Sequence, residues 1–379
     1  AEVEVNFTAE YLDYMAGWAR RIEGEVLTSD RRDEHIFLFR KALGVVGGIL
    51  PWNFPFFLIA RKMAPALVMG NTCVIKPSEE TPLNCFAMTQ LIDQLDLPRG
   101  VFNMVMGYGS TGAALARHPD VDMVSFTGSV GTGAAIMAAA APHITRVNLE
   151  LGGKAPAIVL EDADVDLAVK AIHASRVINT GQVCNCAERV YVHRAVAQEF
   201  TEKMADAMGN TKFGDPSRAE GLDMGSLISA DQLKAIESKV SQSIAEGAVV
   251  VTGGTVADIG AGHHFLPTVL ADCDGTMPVM TTEVFGPVLP IQTVDGLDEA
   301  LLLANATDYG LTSSIYTRDL SSALRAGREL EFGETYVNRE NFEAMQGFHA
   351  GAKKSGIGGA DGKHGLYEYS RTHVMYVQG

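Results

Sequence analysis

The chain has 379 residues, 47% apolar and 20% charged, enough to bury two or three cores without disulfide or metal staples. Thirty Lys and Arg against 46 Asp and Glu leave a formal charge of −16, which argues against a role tracking nucleic-acid phosphates. Five cysteines, an odd number, argue against a secreted disulfide framework and set the expectation of a reducing cytoplasm.

The N-terminal stretch carries Glu2, Glu4 and Glu10 and lacks the charged-then-apolar pattern of a signal sequence. Gly24–Thr28 and the β-prone run His35–Val46, separated by the polar turn Ser29–Glu34, predict a hairpin. The longest apolar stretch runs from Gly48 to Gly70. Pro51, Pro55 and Pro65 interrupt it and Arg61-Lys62 lie inside it, so no membrane span is expected there. Cys73–Ile75 predicts a strand, followed by a helix with Thr81 as N-cap and Pro82 at its first position, ending before Pro98. Further strands are expected at Val101–Met106, Met123–Phe126, Val147–Leu149 and Ala157–Leu160. From Asp164 a helix places Val165, Ala168, Val169 and Ile172 on one buried stripe. Thr372–Val377 predicts an edge strand open to further pairing. Strands alternating with helices give an α/β fold with a mostly parallel, doubly covered sheet.

Several of the 39 glycines sit at strand-to-helix junctions. Gly107-Tyr108-Gly109-Ser110-Thr111-Gly112 matches GxGxxG, but Asp120 and Asp122 come too soon to serve as its ribose acid, and by itself it reads equally as a plain tight strand-to-helix turn. Phe126-Thr127-Gly128-Ser129-Val130-Gly131-Thr132-Gly133 is a second such turn, with Ser129 able to add a hydroxyl to bare N–H groups. Together the two turns point to a nucleotide site, and the missing Gly-Lys-Ser/Thr excludes a P-loop NTPase. Lys76 and Glu79 lie just beyond a strand, where open α/β sheets bind ligands. A carboxylate there would accept both ribose hydroxyls and repel a 2′-phosphate, favouring NAD over NADP. Taken alone, the pair reads first as a solvated loop charge pair.

Asn179-Thr180-Gly181-Gln182-Val183-Cys184-Asn185-Cys186 carries two thiols. Cys73, Cys85 and Cys273 are scattered and supply no ligand pair, so no metal is expected. Cys-x-Cys is not the thioredoxin-type spacing either. A reactive thiol and a buried structural one both remain open, and the residues alone do not choose between Cys184 and Cys186. Glu150 ends an apolar strand, a setting for a general base of raised pKa. Asn53, between Trp52 and Phe54 and flanked by two prolines, is an amide that must find a partner.

These segments, with Pro51-Trp52-Asn53-Phe54-Pro55, Lys76-Pro77-Ser78-Glu79, Glu150-Leu151-Gly152-Gly153-Lys154, Gly181-Gln182-Val183-Cys184 and Glu283-Val284-Phe285-Gly286-Pro287, occur in the order seen in aldehyde dehydrogenases, which the whole chain resembles. The resemblance implies that Cys184 is the nucleophile, that Asn53 and the Cys184 N–H hold the oxyanion, and that Glu150 activates the hydrolytic water. Lys62 matches a lysine linked to proton handling. Ile49, Leu50, Pro51 and Trp52 would line the NAD cleft, Lys76, Pro77, Ser78 and Glu79 its adenosine end, and Gly128 and Ser129 its pyrophosphate. Glu283 and Phe285 would meet the nicotinamide ribose and ring. Arg61 and Asn185, together with Glu343 and His349 of the segment Asn338–His349, resemble the branch that oxidises small hydroxyaldehydes such as lactaldehyde and glycolaldehyde. A loop ion pair is the alternative for Glu343 and His349.

The resemblance further implies a Rossmann-type cofactor domain over 1–23 and 44–150, an α/β catalytic domain over 151–350, and a small β oligomerisation unit over 24–43 and 366–379. It implies a homodimer or homotetramer with no nucleic-acid or membrane partner. Set against the family, the turn at Gly107–Gly112 is one residue short, and about a hundred residues are expected to precede the first helix. That expectation raises a second reading, a catalytically silent NAD-binding or assembly subunit. CoA-acylating chemistry is a third, and Glu150 argues against it because that chemistry needs no water-activating base.

Overall fold

In the computed structural model, which describes residues 2–260 and 262–379, the chain forms two compact units. Unit 1 comprises Ala1–Leu151, Ala344–Ala350 and Gly356–Gly379, and unit 2 comprises Gly152–Glu343 and Gly351–Ser355. Unit 1 thus takes in segments that the expected ranges assign to three domains.

Unit 1 opens with α1 (Glu2–Ala16), which turns Thr8, Tyr11 and Met15 inward. β1 (Glu25–Thr28) and β2 (Glu34–Ala42) form the expected antiparallel hairpin. The β-prone run does not reach Val46 as one strand. It breaks at Leu43-Gly44, where Asn71 Oδ1 accepts both N–H groups and Gly44 adopts φ +136°. A side chain at Gly44 would strike Asp122, so only glycine fits the break. The chain resumes as β3 (Val45–Ile49) in a different sheet.

α2 (Phe57–Val68) follows, and Glu4 Oε1 accepts the Phe56 and Phe57 N–H groups at 2.8 and 3.0 Å. A carboxylate from α1 therefore caps α2 and complements its dipole. Next come β4 (Thr72–Lys76), α3 (Pro82–Ile92), β5 (Phe102–Met104), α4 (Gly109–Ala116), β6 (Met123–Thr127), α5 (Val130–Ala140) and β7 (Arg146–Glu150). Thr81 holds the N-cap position of α3, but its side chain makes no capping bond. The strands β5, β4, β3, β6 and β7 lie side by side in that order, all parallel. Chain order runs outward from β3 in one direction and resumes at β6 in the other. This is the doubly wound arrangement, with its switch point between β3 and β6.

Unit 2 contains β8 (Ala155–Val159), α6 (Val165–Val177), β9 (Ala187–His193), α7 (Ala197–Gly209), α8 (Ala230–Ala245), β10 (Val249–Thr252), β11 (Val256–Ala257) and β12 (His264–Phe265). It continues with β13 (Thr268–Ala271), α9 (Pro278–Thr281), β14 (Val288–Val294), α10 (Leu297–Asn305), β15 (Thr312–Tyr316), α11 (Leu320–Glu329) and β16 (Glu334–Val337). Its main sheet has the order β10-β13-β14-β9-β8-β15-β16, parallel throughout except for β10. Asp164 caps α6 through Leu167 N–H, and Val165, Ala168, Val169 and Ile172 are buried as the spacing predicts. β11 and β12 form a separate two-stranded ribbon.

The chain then completes unit 1 with β17 (Gly356–Ile357), antiparallel to β7, and α12 (Gly362–Glu368). The last strand, β18 (Ser370–Gln378), pairs antiparallel with β2 along its whole length and forms the edge of a three-stranded sheet. The core of unit 1 gathers Tyr11, Phe57, Ile59, Met63, Ile75 and Leu366. Each large apolar side chain so buried contributes roughly 1.5–3 kcal/mol, and here they clamp α2 from both sides of the chain. That helix carries Arg61 and Lys62. Among the described residues no helix is long and apolar enough to cross a membrane.

Candidate active site

Unit 1 gathers most of the expected cofactor residues at the carboxyl ends of its parallel strands. Ile49 ends β3 and leads to Leu50, whose N–H donates to the Lys76 carbonyl at 3.0 Å, and then to Pro51 and Trp52. Lys76 ends β4; its buried Nζ donates to Glu79 Oε2 at 3.0 Å, just past Pro77 and the buried Ser78. Glu79 keeps 41% of its side chain exposed, and backbone hydrogen bonding with the Lys76 charge holds its pKa below the usual carboxylate value. Thr127 ends β6 and leads to Gly128 and Ser129, and Ser129 Oγ accepts the Thr132 N–H at 3.3 Å as the N-cap of α5. A Cβ at Gly128 would lie 2.3 Å from the Phe126 ring. A helix N-terminus, an ionised carboxylate and a glycine turn at the switch point form a cradle that fits a dinucleotide.

A second set of unit 1 residues surrounds Glu150, at the carboxyl end of β7. Glu150 is buried, and among the described residues neither of its carboxylate oxygens accepts a hydrogen bond. His349 Nε2 lies 3.6 Å from Glu150 Oε2. Burial pushes the Glu150 carboxyl up to about 7, against the opposing pull of His349, Arg61 and Lys62. Burial brings the Lys62 ammonium down to about 7, and its Nζ donates to Ser125 Oγ at 3.1 Å. Ser125 Oγ in turn meets the Tyr369 hydroxyl at 3.0 Å. Two groups of opposite sign are thus both held near neutrality, where proton exchange costs least.

Arg61 pairs side-on with Asp361: its Nε donates to Oδ1 at 3.0 Å and its Nη2 to Oδ2. The guanidinium also lies over the Phe57 ring, 5.4 Å from its centroid. His349 exchanges two backbone hydrogen bonds with Ala360, at 2.9 and 2.7 Å. Asn53 Oδ1 accepts the Phe54 N–H at 3.2 Å, which leaves the amide nitrogen as the donor end of that side chain.

Unit 2 holds the two thiols at the end of an irregular segment. Asn179 and Thr180 both adopt left-handed backbone and Gly181 has φ +72°, a sequence of turns that presents the following residues. At Gly181 a Cβ would fall 2.4 Å from the Gly286 carbonyl. Cys186 is sequestered: its Sγ lies 2.9 Å from Arg176 Nη2 and 2.8 Å from the Val183 carbonyl, and burial pushes the thiol up to about 12. Cys184 is only half-buried. A nucleophile needs an accessible thiolate, which burial denies Cys186. Asn185 Nδ2 donates to Glu343 Oε2, so Glu343 has an amide partner within its own unit.

Behind the thiols lies a buried ion cluster. The Glu188 carboxylate accepts from Lys154 Nζ at 2.6 Å, Arg176 Nη1 at 3.0 Å, and the Val284 and Phe285 N–H groups at 3.0 and 3.1 Å. Although burial works the other way, Lys154 and Arg176 hold its pKa down at about 2. Arg176 Nη1 and Nη2 also reach the Ala187 and Gly181 carbonyls, tying the thiol-bearing turn to the same cluster. Glu283 Oε1 accepts the Gly153 N–H at 2.8 Å, and a Cβ at Gly152 would lie 2.5 Å from the same carboxylate. Burial and the Glu188 charge push the Glu283 carboxyl up to about 7. Phe285 is held at φ +56°, its carbonyl accepting from Gln232 Nε2 at 2.8 Å. Among the described residues no group of three His, Cys, Asp or Glu side chains is placed to hold a metal ion.

Comparison with known proteins fits this chemistry. A model of the aldehyde dehydrogenase family matches residues 1–375. The chain belongs to the aldehyde dehydrogenase family. It is 60% identical to lactaldehyde dehydrogenase of Escherichia coli over 379 residues, covering all of this chain and 79% of that protein. A crystal structure of the Escherichia coli lactaldehyde dehydrogenase superposes with a TM-score of 0.98 over 100% of this chain and 79% of the other. A betaine aldehyde dehydrogenase of Staphylococcus aureus, solved in complex with NAD+, is 35% identical, with a TM-score of 0.96 over 99% of this chain and 75% of that one.

Within this aldehyde dehydrogenase, sequence reasoning passed over the residues that hold the named ones in place. Asp361, Ser125, Arg176, Glu188 and Lys154 all lie buried against them. For two of these the signal was present. Arg176 extends the apolar stripe of α6, and Glu188 lies near the start of a strand that also holds Val190, Tyr191 and Val192, both positions that a solvated charge would avoid.

Proposed function

We propose that the chain oxidises a small 2-hydroxyaldehyde to the carboxylic acid with NAD as acceptor. The Cys184 thiolate adds to the aldehyde carbonyl carbon, and the Asn53 amide and the Cys184 N–H donate to the oxygen as it gains charge. NAD, when bound, supplies the acceptor for the hydride lost from that carbon. Ile49, Leu50, Pro51, Trp52, Lys76, Pro77, Ser78, Glu79, Gly128 and Ser129 would hold it, with Glu283 and Phe285 at the nicotinamide end. The resulting Cys184 thioester is cleaved by water. Glu150 takes the water proton as the new C–O bond forms, the acid leaves, and the thiolate is restored. Lys62 serves as the neighbour with which Glu150 trades that proton.

The observation that carries the reading is the Glu150 carboxyl, buried with both oxygens accepting no hydrogen bond among the described residues. Such a group is costly unless its lone pairs are used in the reaction. The substrate class rests on Arg61 and His349, both buried, and on Asn185 with Glu343. Polar and charged side chains of this kind suit an aldehyde that carries a hydroxyl better than one that carries only an alkyl chain. NAD rather than NADP follows from the Glu79 carboxylate, which repels a 2′-phosphate. The exposed apolar residues of β18, Met375 and Tyr376 among them, support assembly into a homodimer or homotetramer. Five free thiols fit the reducing cytoplasm.

Incubation with lactaldehyde or glycolaldehyde and NAD is expected to yield NADH, with far less from NADP and none from Cys184→Ala. Absence of a Cys184-dependent signal would overturn the reading. Light scattering that finds only monomer at micromolar concentration would remove the oligomer.

A further inference from the structure

Asp361 stands out among the buried residues that the reaction itself does not use. Its side chain is 2% exposed and both carboxylate oxygens engage Arg61. Its backbone adopts φ 69° and ψ 164°, a region that is essentially reserved for glycine. The neighbouring backbone is equally fixed. Ala360 forms the reciprocal bridge to His349, and Gly362 N–H donates to the Met345 carbonyl at 2.9 Å. At Gly362, with φ +56°, a Cβ would fall 2.1 Å from the Gly347 carbonyl, so only glycine fits there.

Buried ion pairs contribute little net stability, because desolvation offsets their attraction. A buried pair on strained backbone is therefore a poor device for stability, and orientation is what it supplies. Side-on pairing through Nε and Nη2 fixes both the plane and the direction of the guanidinium, so the Nη1 end points one way only. Stacking over Phe57 fixes the same plane from another side. The three-residue turn 360–362 consequently holds two residues at once: the Arg61 guanidinium through the Asp361 carboxylate and the His349 backbone through Ala360.

We infer that Asp361 is a positioning residue for substrate choice, holding Arg61 in the orientation that recognises the 2-hydroxyl of the aldehyde. This inference rests on the substrate reading proposed above. Asp361 makes no contact with the reacting carbon in this scheme, and its influence on substrate choice runs through Arg61.

The test compares lactaldehyde with propionaldehyde, which lacks the hydroxyl, in Asp361→Gly, Asp361→Asn and Arg61→Met enzymes. Glycine accepts the turn's backbone without strain, and asparagine keeps the side-chain volume without the charge. Both Asp361 variants are expected to lose about 10- to 100-fold in kcat/KM for lactaldehyde, mostly through KM, and no more than about threefold for propionaldehyde. In an Arg61→Met background, Asp361→Gly is expected to add nothing further. Equal losses on both aldehydes, undiminished discrimination, or full additivity with Arg61→Met would overturn the inference. If Arg61→Met itself keeps the discrimination, the substrate reading fails instead. Should the glycine variant not fold, Asp361→Asn carries the same comparison.

Discussion

Two buried charge clusters, one in each unit, make opposite use of the same ingredients. In unit 2, Glu188 is surrounded by four donors and held ionised, with a pKa down at about 2. In unit 1, Glu150 is equally buried beside a lysine, an arginine and a histidine, yet accepts no hydrogen bond among the described residues and sits at about 7. Proximity of opposite charge does not separate the two, since both have it. Hydrogen bonds to the carboxylate do: donors lock the charged form, and their absence leaves the proton mobile. The first arrangement is that of a scaffold, and the second suits the proton transfer proposed for Glu150.

The contrast can be broken most sharply by exchanging each acid for its amide. Glu150→Gln is expected to lower steady-state turnover by about 10³-fold, within the range of a lost general base, while thermal unfolding shifts little. Rapid mixing should still show a first turnover of NADH, because only thioester hydrolysis has lost its base. Glu188→Gln is expected to do the reverse and strip stability, by about 3–5 kcal/mol, since it leaves Lys154 and Arg176 buried without their counter-charge. Denaturant titration would read that loss directly. An amide at position 188 that leaves stability intact would dissolve the distinction.

A third measurement sharpens the same contrast through pH. The folded-state pKa of Glu150 lies above its unfolded value of 4.5, so the stability it contributes is present below 4.5 and is lost as pH rises toward 7. Glu188 lies below its unfolded value, so its contribution is present above 4.5 and is lost as pH falls toward 2. Unfolding free energies across these two windows should therefore change in opposite directions on replacing Glu150 and Glu188 by glutamine. The smallest effect is expected from Lys62→Met. Lys62 lowers the Glu150 pKa, so removing its charge should move the acid limb of kcat to higher pH, by less than one unit. A shift to lower pH would assign Lys62 a different role.

How far the sequence disclosed this architecture depends on the range of the forces involved. The stripe Val165, Ala168, Val169 and Ile172 and the strand at Cys73–Ile75 follow from local periodicity, and both formed where expected. The break at Leu43-Gly44 did not show, because Asn71, which captures those N–H groups, lies well downstream. Among the site residues, Glu150 and the Cys184 turn carry local signatures, an acid ending an apolar strand and thiols after a glycine turn. Asp361 carries none. Its meaning comes from Arg61, three hundred positions earlier, and only a folded chain brings the two together.

The discontinuity of unit 1 bears on how the protein is made. Unit 2 comes almost entirely from one uninterrupted stretch, Gly152–Glu343, and can collapse as soon as that stretch has emerged from the ribosome. Unit 1 is synthesised first but cannot close until β17, α12 and β18 arrive, since β2 must wait for β18 and Arg61 for Asp361. Such distant pairings bear a large loop-closure cost and form slowly. The unit whose first strands emerge earlier is thus the one that closes later, and until β18 appears β2 lacks one of its two strand partners.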